Sequence, residues 1–139
     1  MVIDTSALVA IFSNEPERRV FIDAIEAADA RRISAASWVE VSIVMEVRHG
    51  AEGLRDLDLF LERANVEVVG IDRDQARAAR YAFSRYGKGR HRAALNFGDC
   101  FAYALAKTFA EPLLCKGADF MHTDLIVWRS EPPDDETDA

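Results

Sequence analysis

The sequence predicts a three-layer α/β/α domain with a short, mostly parallel central sheet. Short apolar runs suited to buried strands alternate with longer segments whose apolar residues recur at helical spacing. Such alternation implies crossover connections, which place parallel strands side by side and cover both faces of the sheet with helices. With 139 residues, of which 50% are hydrophobic, the chain is long enough to form one such domain with a substantial core.

The elements can be assigned in order along the chain. The first strand begins at Val2, and further strands are expected at residues 32–35, 66–69, 112–115 and, at an edge, 125–128. Helical periodicity covers the segments between them: 5–12, 17–28, 37–49, 51–64, 72–86 and 100–109. Gly50 separates the third and fourth helices, and Asp72 is the expected N-cap of the fifth.

Charge is distributed unevenly along the chain. The formal net charge is −7, but residues 131–139 carry five acidic and no basic side chains. We therefore expect a globular domain over residues 1–130 with nearly balanced charge, followed by a disordered acidic tail over residues 131–139. The balanced domain is compatible with a nucleic-acid partner, because basic residues can cluster locally.

We find no sequence signal for export or membrane insertion. No run of 18 apolar residues could span a membrane, and the first strand begins too early to leave room for a secretory signal. Cys100 and Cys115 lie in apolar contexts without CxxC spacing, so we expect buried thiols. These observations predict a cytoplasmic protein.

Four carboxylates adjoin apolar segments in a way that should bring them to one edge of the sheet. They follow strands or begin helices: Asp4, Glu40, Asp99 and Asp119. In an open α/β sheet, functional groups gather where strands end and helices begin. The four acids together are therefore more informative than any one of them.

Each acid also has an ordinary structural explanation. Asp4 could cap the helix that follows it, and Ser37 with Glu40 forms the S-x-x-E pattern of a capping box. Asp99 could complement a helix dipole, and Asp119 could stabilise a turn. Capping does not exclude function, because a capping carboxylate is ionised and fixed in position, as a metal ligand must be.

Carboxylates gathered at one edge repel one another, and a hard divalent cation offsets that repulsion. Mg²⁺ and Mn²⁺ prefer carboxylate and water ligands. Such ions can activate water and stabilise the charge that develops on a phosphodiester. The sequence has neither a zinc-type His pair nor a Gly-rich phosphate loop. The acidic set therefore indicates metal-assisted phosphodiester chemistry.

Four segments form an ordered set: VIDTSAL at residues 2–8, Glu40 in a helix start, NFGDC at 96–100 and LLCKGADF at 113–120. This set resembles the PIN-domain ribonucleases, and the whole chain to about residue 128 resembles the VapC-type toxins of type II toxin–antitoxin pairs. The resemblance implies a PIN-like domain, Mg²⁺- or Mn²⁺-dependent hydrolysis of RNA, inhibition by a VapB-type antitoxin, and a homodimer.

The resemblance also implies catalytic and metal-binding roles for individual acids. Asp4, Glu40 and Asp99 match the first three acids of the family. Many members have Thr-x-Asp after the fourth strand, whereas this chain has Cys-Lys-Gly there. Asp119 is therefore the expected fourth acid, with Asp124 as the alternative.

A basic loop joins the last two predicted helices. We expect three of its residues, Lys88, Arg90 and Arg92, to bind RNA phosphates, although the same composition would suit a solvated loop. The aromatic residues on either side, Tyr86 and Phe97, are expected in the core rather than as platforms for stacking bases.

Two apolar stretches, residues 7–12 and 38–47, exceed what a small sheet needs to cover itself. We expect part of this surface to be buried by a second copy of the chain, by an antitoxin segment, or by both.

Two other functions stay open at this point. One is a PIN-like module that binds RNA or a partner without catalysis. The other is a phosphotransfer domain with Asp4 as the nucleophile. A dehalogenase-like site of that kind would need a second aspartate where this chain has Ser6, which disfavours the phosphotransfer interpretation.

Overall fold

A computed structural model describes residues 1–130, and the predicted acidic tail lies outside the described residues. The strands are β1 Val2–Ile3, β2 Arg32–Ser34, β3 Glu67–Val69 and β4 Leu113–Leu114. They form one sheet in the order β3-β2-β1-β4, and every neighbouring pair is parallel. The helices are α1 Thr5–Phe12, α2 Arg18–Ala27, α3 Ala35–Arg63, α4 Arg73–Tyr86 and α5 Phe97–Phe109. The predicted α/β class is confirmed.

Two hydrophobic cores, one on each face of the sheet, define the three layers. Val2 joins the core formed with α4 and α5, whereas its neighbour Ile3 joins the core formed with α1, α2 and α3. Leu113 and Leu114 of β4 divide between the two cores in the same way. Because successive side chains of a strand point to opposite faces, this division means that helices cover both faces of the sheet.

Helix α3 begins earlier than predicted, but it is interrupted at Gly50 as predicted. Gly50 interrupts it with φ 63° and ψ −154°, a conformation that favours glycine, as the sequence indicated. The helix begins at Ala35 because Ser34 caps it, with the Ser34 hydroxyl accepting from the Ala36 N–H at 3.3 Å. Ser37 lies inside the first turn, so the predicted capping box of Ser37 and Glu40 is wrong.

The predicted edge strand at residues 125–128 is reduced to a single parallel bridge between Val127 and Leu113. Two backbone hydrogen bonds of 2.9 Å make it, from Leu113 to the Ile126 carbonyl and from Trp128 to the Leu113 carbonyl. Strand β4 is only two residues long, so residues 125–128 have too few backbone partners to pair over their full length.

Cys100 and Cys115 are buried free thiols, as their apolar contexts predicted. No helix within residues 1–130 combines the length and the apolar character needed to cross a bilayer.

Candidate active site

The parallel sheet brings the four predicted acids to one edge. Asp4 directly follows β1, and Glu40 lies early in α3, directly after β2. Asp119 begins a short 3-10 helix after β4, and Asp99 lies in the first turn of α5. Because parallel strands end at the same edge and their crossover helices begin or end there, all four residues face one region.

Asp4 is the most buried of these acids, with 4% of its surface exposed. It caps α1, and its Oδ2 accepts hydrogen bonds from the Ser6 N–H at 3.0 Å and the Ser6 hydroxyl at 2.6 Å. The Ser6 hydroxyl also accepts from the Lys116 N–H at 2.9 Å, which ties the ends of β1 and β4 together. No hydrogen bond within residues 1–130 engages Asp4 Oδ1, so one oxygen is left for a ligand.

Burial raises the pKa of Asp4 to about 6. The two hydrogen bonds from Ser6 act in the opposite direction, and the negative charges of Asp99 and Glu40 add to the rise. The ionised carboxylate is therefore both desolvated and repelled by its neighbours. A bound cation would relieve both costs.

Asp99 is held by a reciprocal capping box at the start of α5. The Asn96 side chain accepts from the Asp99 N–H at 2.9 Å, and Asp99 Oδ2 accepts from the Asn96 N–H at 3.0 Å. Burial raises the pKa of Asp99, the Asn96 hydrogen bond lowers it, and the charges of Glu40 and Asp119 raise it further. Like Asp4, Asp99 is fixed through one carboxylate oxygen.

The buried thiol of Cys115, at the end of β4, lies among three of these carboxylates. Its pKa rises to about 12, first because it is buried and then because of the charges of Asp4, Asp99 and Asp119. Asp119 therefore lies at the same acidic edge as Asp4 and Asp99. We refer to Asp4, Glu40, Asp99 and Asp119 as the acidic cluster.

Asp124, the alternative fourth acid, is engaged elsewhere. Its carboxylate accepts hydrogen bonds from the Tyr103 hydroxyl at 2.6 Å and from Lys107 Nζ at 2.7 Å. Partial burial acts to raise the pKa of Asp124, but these two bonds and the Lys107 charge lower it overall. This geometry favours Asp119 as the fourth acid and ties Asp124 to α5.

Glu40 packs directly against Gly98 in the first turn of α5. A Cβ atom at residue 98 would lie 2.3 Å from Glu40 Oε2 and 3.0 Å from its Cδ. Gly98 therefore leaves the space in which the Glu40 carboxylate sits beside Asp99. This role was not predicted from the sequence, although a glycine next to a candidate ligand at the start of a helix often marks a close approach of another group.

We expect Gly98→Ala to lower activity without lowering stability. The added methyl group displaces the Glu40 carboxylate, which is the end of a flexible side chain, while alanine improves helix propensity by about 0.5–1 kcal/mol. The measurements are RNA cleavage and thermal unfolding. Gly70→Ala is the control, because a Cβ there meets nothing within 4 Å. Full activity in Gly98→Ala would argue against a role for Glu40.

The donor set suits an ion of the Mg²⁺ type. Within residues 1–130, no group of three or more His, Cys, Asp or Glu side chains is placed so that it could hold a metal ion by itself. Mg²⁺ is usually bound through one or two carboxylates together with several waters. Asp4 and Asp99, each with one oxygen fixed by a hydrogen bond and one left open, match that mode of binding.

The basic loop lies between the end of α4 and the start of α5, so it opens at the same edge as Asp99. Lys88, Arg90 and Arg92 are all exposed in it.

Tyr86 is buried as predicted, but the prediction for Phe97 is wrong, because its side chain is 79% exposed. Phe97 is the first residue of α5.

Comparison with known proteins identifies the family to which this chain belongs. The family model described as "PIN domain" matches residues 1–125. Ribonuclease VapC30 of Mycobacterium tuberculosis is 57% identical over 127 residues, which cover 91% of this chain and 97% of that protein. The chain therefore belongs to the PIN-domain family and, within it, to the VapC ribonucleases. This membership confirms the sequence resemblance and favours a nuclease over a phosphotransfer domain.

Solved structures share the fold at low sequence identity. VapC20 of Mycobacterium tuberculosis, described as a Sarcin-Ricin loop cleaving toxin, has a TM-score of 0.75 at 14% identity, covering 93% of this chain and 98% of that one. A toxin–antitoxin complex from Klebsiella pneumoniae has a TM-score of 0.69 at 22% identity, covering 91% and 95%.

Proposed function

We propose that this protein is the toxin of a type II toxin–antitoxin pair and a metal-dependent endoribonuclease that uses Mg²⁺ or Mn²⁺. The observation that carries the proposal is the buried Asp4 carboxylate, whose pKa rises to about 6 beside Asp99 and Glu40. A fold retains such a costly group most readily where it serves a function. The choice of RNA as the substrate rests on the relatives, which are named VapC ribonucleases.

Each member of the acidic cluster has a defined part in this proposal. Asp4 and Asp99 would hold the ion, and Asp119 adds negative charge at the same edge. When bound, such an ion would supply Lewis-acid charge and lower the pKa of water. Glu40 would orient the attacking water in line with the departing ribose oxygen. The phosphodiester is hydrolysed directly, without a covalent bond to the protein.

The direct test is cleavage of RNA by the full chain in Mg²⁺ and in EDTA. We expect cleavage only with the metal and no 2′,3′-cyclic phosphate on the products, because water rather than the ribose 2′-hydroxyl attacks. Products that end in a cyclic phosphate, or cleavage in EDTA, would contradict the mechanism. RNA binding with no cleavage under any condition would favour the inactive binding module.

The exposed cations of the basic loop are proposed to bind RNA phosphates. Changing Lys88, Arg90 and Arg92 to Gln should weaken RNA binding and flatten its dependence on salt, by about 0.7 in the log–log slope for each phosphate that is no longer neutralised. The control removes the same charge from three exposed arginines on other surfaces: Arg19, Arg55 and Arg77. An equal effect of both triple variants would show only a general charge effect.

An exposed apolar stripe on α3 is proposed to meet a partner. Val39, Ile43 and Val47 recur every four residues on one helix face and are 52%, 56% and 80% exposed. Residues 7–12 contribute little to this surface, because most of their side chains are buried where α1 packs against α2 and α3 of the same chain. The stripe is thus the part of the predicted surface that remains for a second copy or a VapB-type antitoxin.

We expect Ile43→Glu to prevent dimer formation, antitoxin binding or both, because a buried unpaired charge is costly in an interface. Sedimentation and co-purification with the antitoxin measure the two effects. Ile126→Glu is the control, since Ile126 is 67% exposed outside the stripe. A wild-type protein that is a monomer at micromolar concentration and binds no antitoxin would refute this surface assignment.

A further inference from the structure

Phe97 is an exposed aromatic residue at the start of α5, the helix that also carries Asp99. It is the first residue of α5, two positions before Asp99, and 79% of its surface is exposed. Burying a Phe side chain typically stabilises a protein by roughly 1.5–3 kcal/mol, so an exposed one forgoes that gain. None of the roles assigned above to the metal, the water or the phosphates uses this ring.

The ring is held in place although it is exposed. It contacts Phe101, one turn later on α5, edge to face, with centroids 4.9 Å apart and an interplanar angle of 78°. The two rings form one wall of a groove of about 560 Å³ between α4 and α5, with Phe83 among the residues that line it. Phe97 is therefore a preorganised apolar surface at the mouth of this groove.

The rim of the groove carries positive charge. Arg80 lines it, and the Arg90 guanidinium lies 5.5 Å from the centre of the Phe83 ring. Neither arginine takes part in a salt bridge within residues 1–130. An apolar aromatic surface with cations beside it matches single-stranded nucleic acid, in which flat bases alternate with phosphates. A purely apolar protein partner would have no use for these charges.

We propose that Phe97 stacks on a base of single-stranded RNA close to the phosphodiester that is cleaved. The proposal rests on the ribonuclease function proposed above and adds a binding site for a nucleobase in the α4–α5 groove. Phe97 and Asp99 share the first turn of α5 but point to different faces of the helix, so a strand whose phosphate reaches the acidic cluster would cross the start of α5 to place a neighbouring base on the ring. Arg80 and Arg90 then lie beside the phosphates that continue along the groove.

The test measures RNA affinity separately from cleavage. Binding of a single-stranded oligoribonucleotide is followed by fluorescence anisotropy in the Asp99→Asn background, while cleavage is measured in the otherwise wild-type chain. Stacking of one base is worth a factor of about 5 to 150 in affinity. We expect Phe97→Ala to weaken binding within that range and Phe97→Trp to retain it. Phe97→Leu, which stays apolar but lacks a flat ring, should behave like Phe97→Ala.

Two controls separate stacking from other effects. Tyr81→Ala removes an aromatic side chain that is 50% exposed on α4 but does not line the groove, and it should leave affinity unchanged. An oligonucleotide with one abasic position, moved along the strand, should reach a position where wild-type affinity falls and Phe97→Ala causes no further loss. That non-additivity identifies the stacked base.

Several outcomes would overturn the proposal. Unchanged binding by Phe97→Ala, with wild-type cleavage intact, would reject stacking but leave the ribonuclease function standing. Wild-type affinity in Phe97→Leu would show that the ring acts only as an apolar contact. A change in oligomeric state without a change in RNA affinity would make the groove a protein interface. A wild-type chain that neither binds nor cleaves RNA would reject both proposals.

Discussion

We expect Asp4→Asn and Asp99→Asn each to lower RNA cleavage by about 100-fold or more while the fold is retained. Removing one preorganised electrostatic contact from an active site commonly costs a factor of about 10²–10³ in rate. Asparagine keeps the caps in both places, because its side-chain oxygen can still accept from the Ser6 or Asn96 N–H. The loss is therefore one of charge at the acidic cluster, measured as the initial rate on a defined RNA in Mg²⁺.

The remaining acids provide a graded comparison. Asp119→Asn should give a smaller loss, because this exposed residue adds charge to the cluster without being fixed in it. Asp124→Asn should cleave at close to the wild-type rate, since its carboxylate is bonded to Tyr103 and Lys107. A large loss in Asp124→Asn and none in Asp119→Asn would reverse our assignment of the fourth acid.

Asp4→Asn should also make the metal-free protein more stable at neutral pH. The ionised carboxylate is destabilising in the fold, and the rise in its pKa from 3.8 to about 6 corresponds to about 3 kcal/mol. Removing the charge should raise the melting temperature in EDTA by roughly 10 °C for a domain of this size. The same substitution would thus lower activity and stabilise the metal-free fold, as expected for a functional group that is costly to the structure.

The stability gained by Asp4→Asn should depend on pH. Because the folded pKa lies above the unfolded one, the contribution of Asp4 to stability is fully present below about pH 4 and is lost as the pH rises through about 6. The advantage of Asp4→Asn should therefore be near zero in acid and reach its full size above about pH 7. Asp72→Asn is the control, since Asp72 caps α4 from an exposed position. A pH-independent difference, or a less stable Asp4→Asn, would contradict the pKa assignment.

The sequence was sufficient to predict the fold class and the acidic cluster because both depend on local patterns. Apolar runs and helical periodicity place Asp4 after β1 and Asp99 at the start of α5, and a parallel sheet then brings them to one edge. Gly50 and Asp72 were identified in the same way, from residue types with strong conformational preferences.

The features that the sequence did not predict depend on packing between distant segments. Ser34 and Ser37 are equally suitable N-caps by residue type, and only the register of β2 decides where α3 begins. Hydrophobicity alone predicts burial for Phe97, but its exposure depends on where α4 stops covering α5. The contact between Gly98 and Glu40 joins residues 58 positions apart, and no local pattern encodes it.

The central claim is that Asp4 and Asp99 form a site for a divalent cation, and thermal unfolding in Mg²⁺ tests it most directly. A ligand that binds only the folded state raises its stability with concentration. We predict that millimolar Mg²⁺ raises the melting temperature of the wild-type protein at neutral pH, and that it has no such effect on Asp4→Asn or Asp99→Asn. An equal shift in all three proteins, or no shift in the wild type with either Mg²⁺ or Mn²⁺, would contradict the claim.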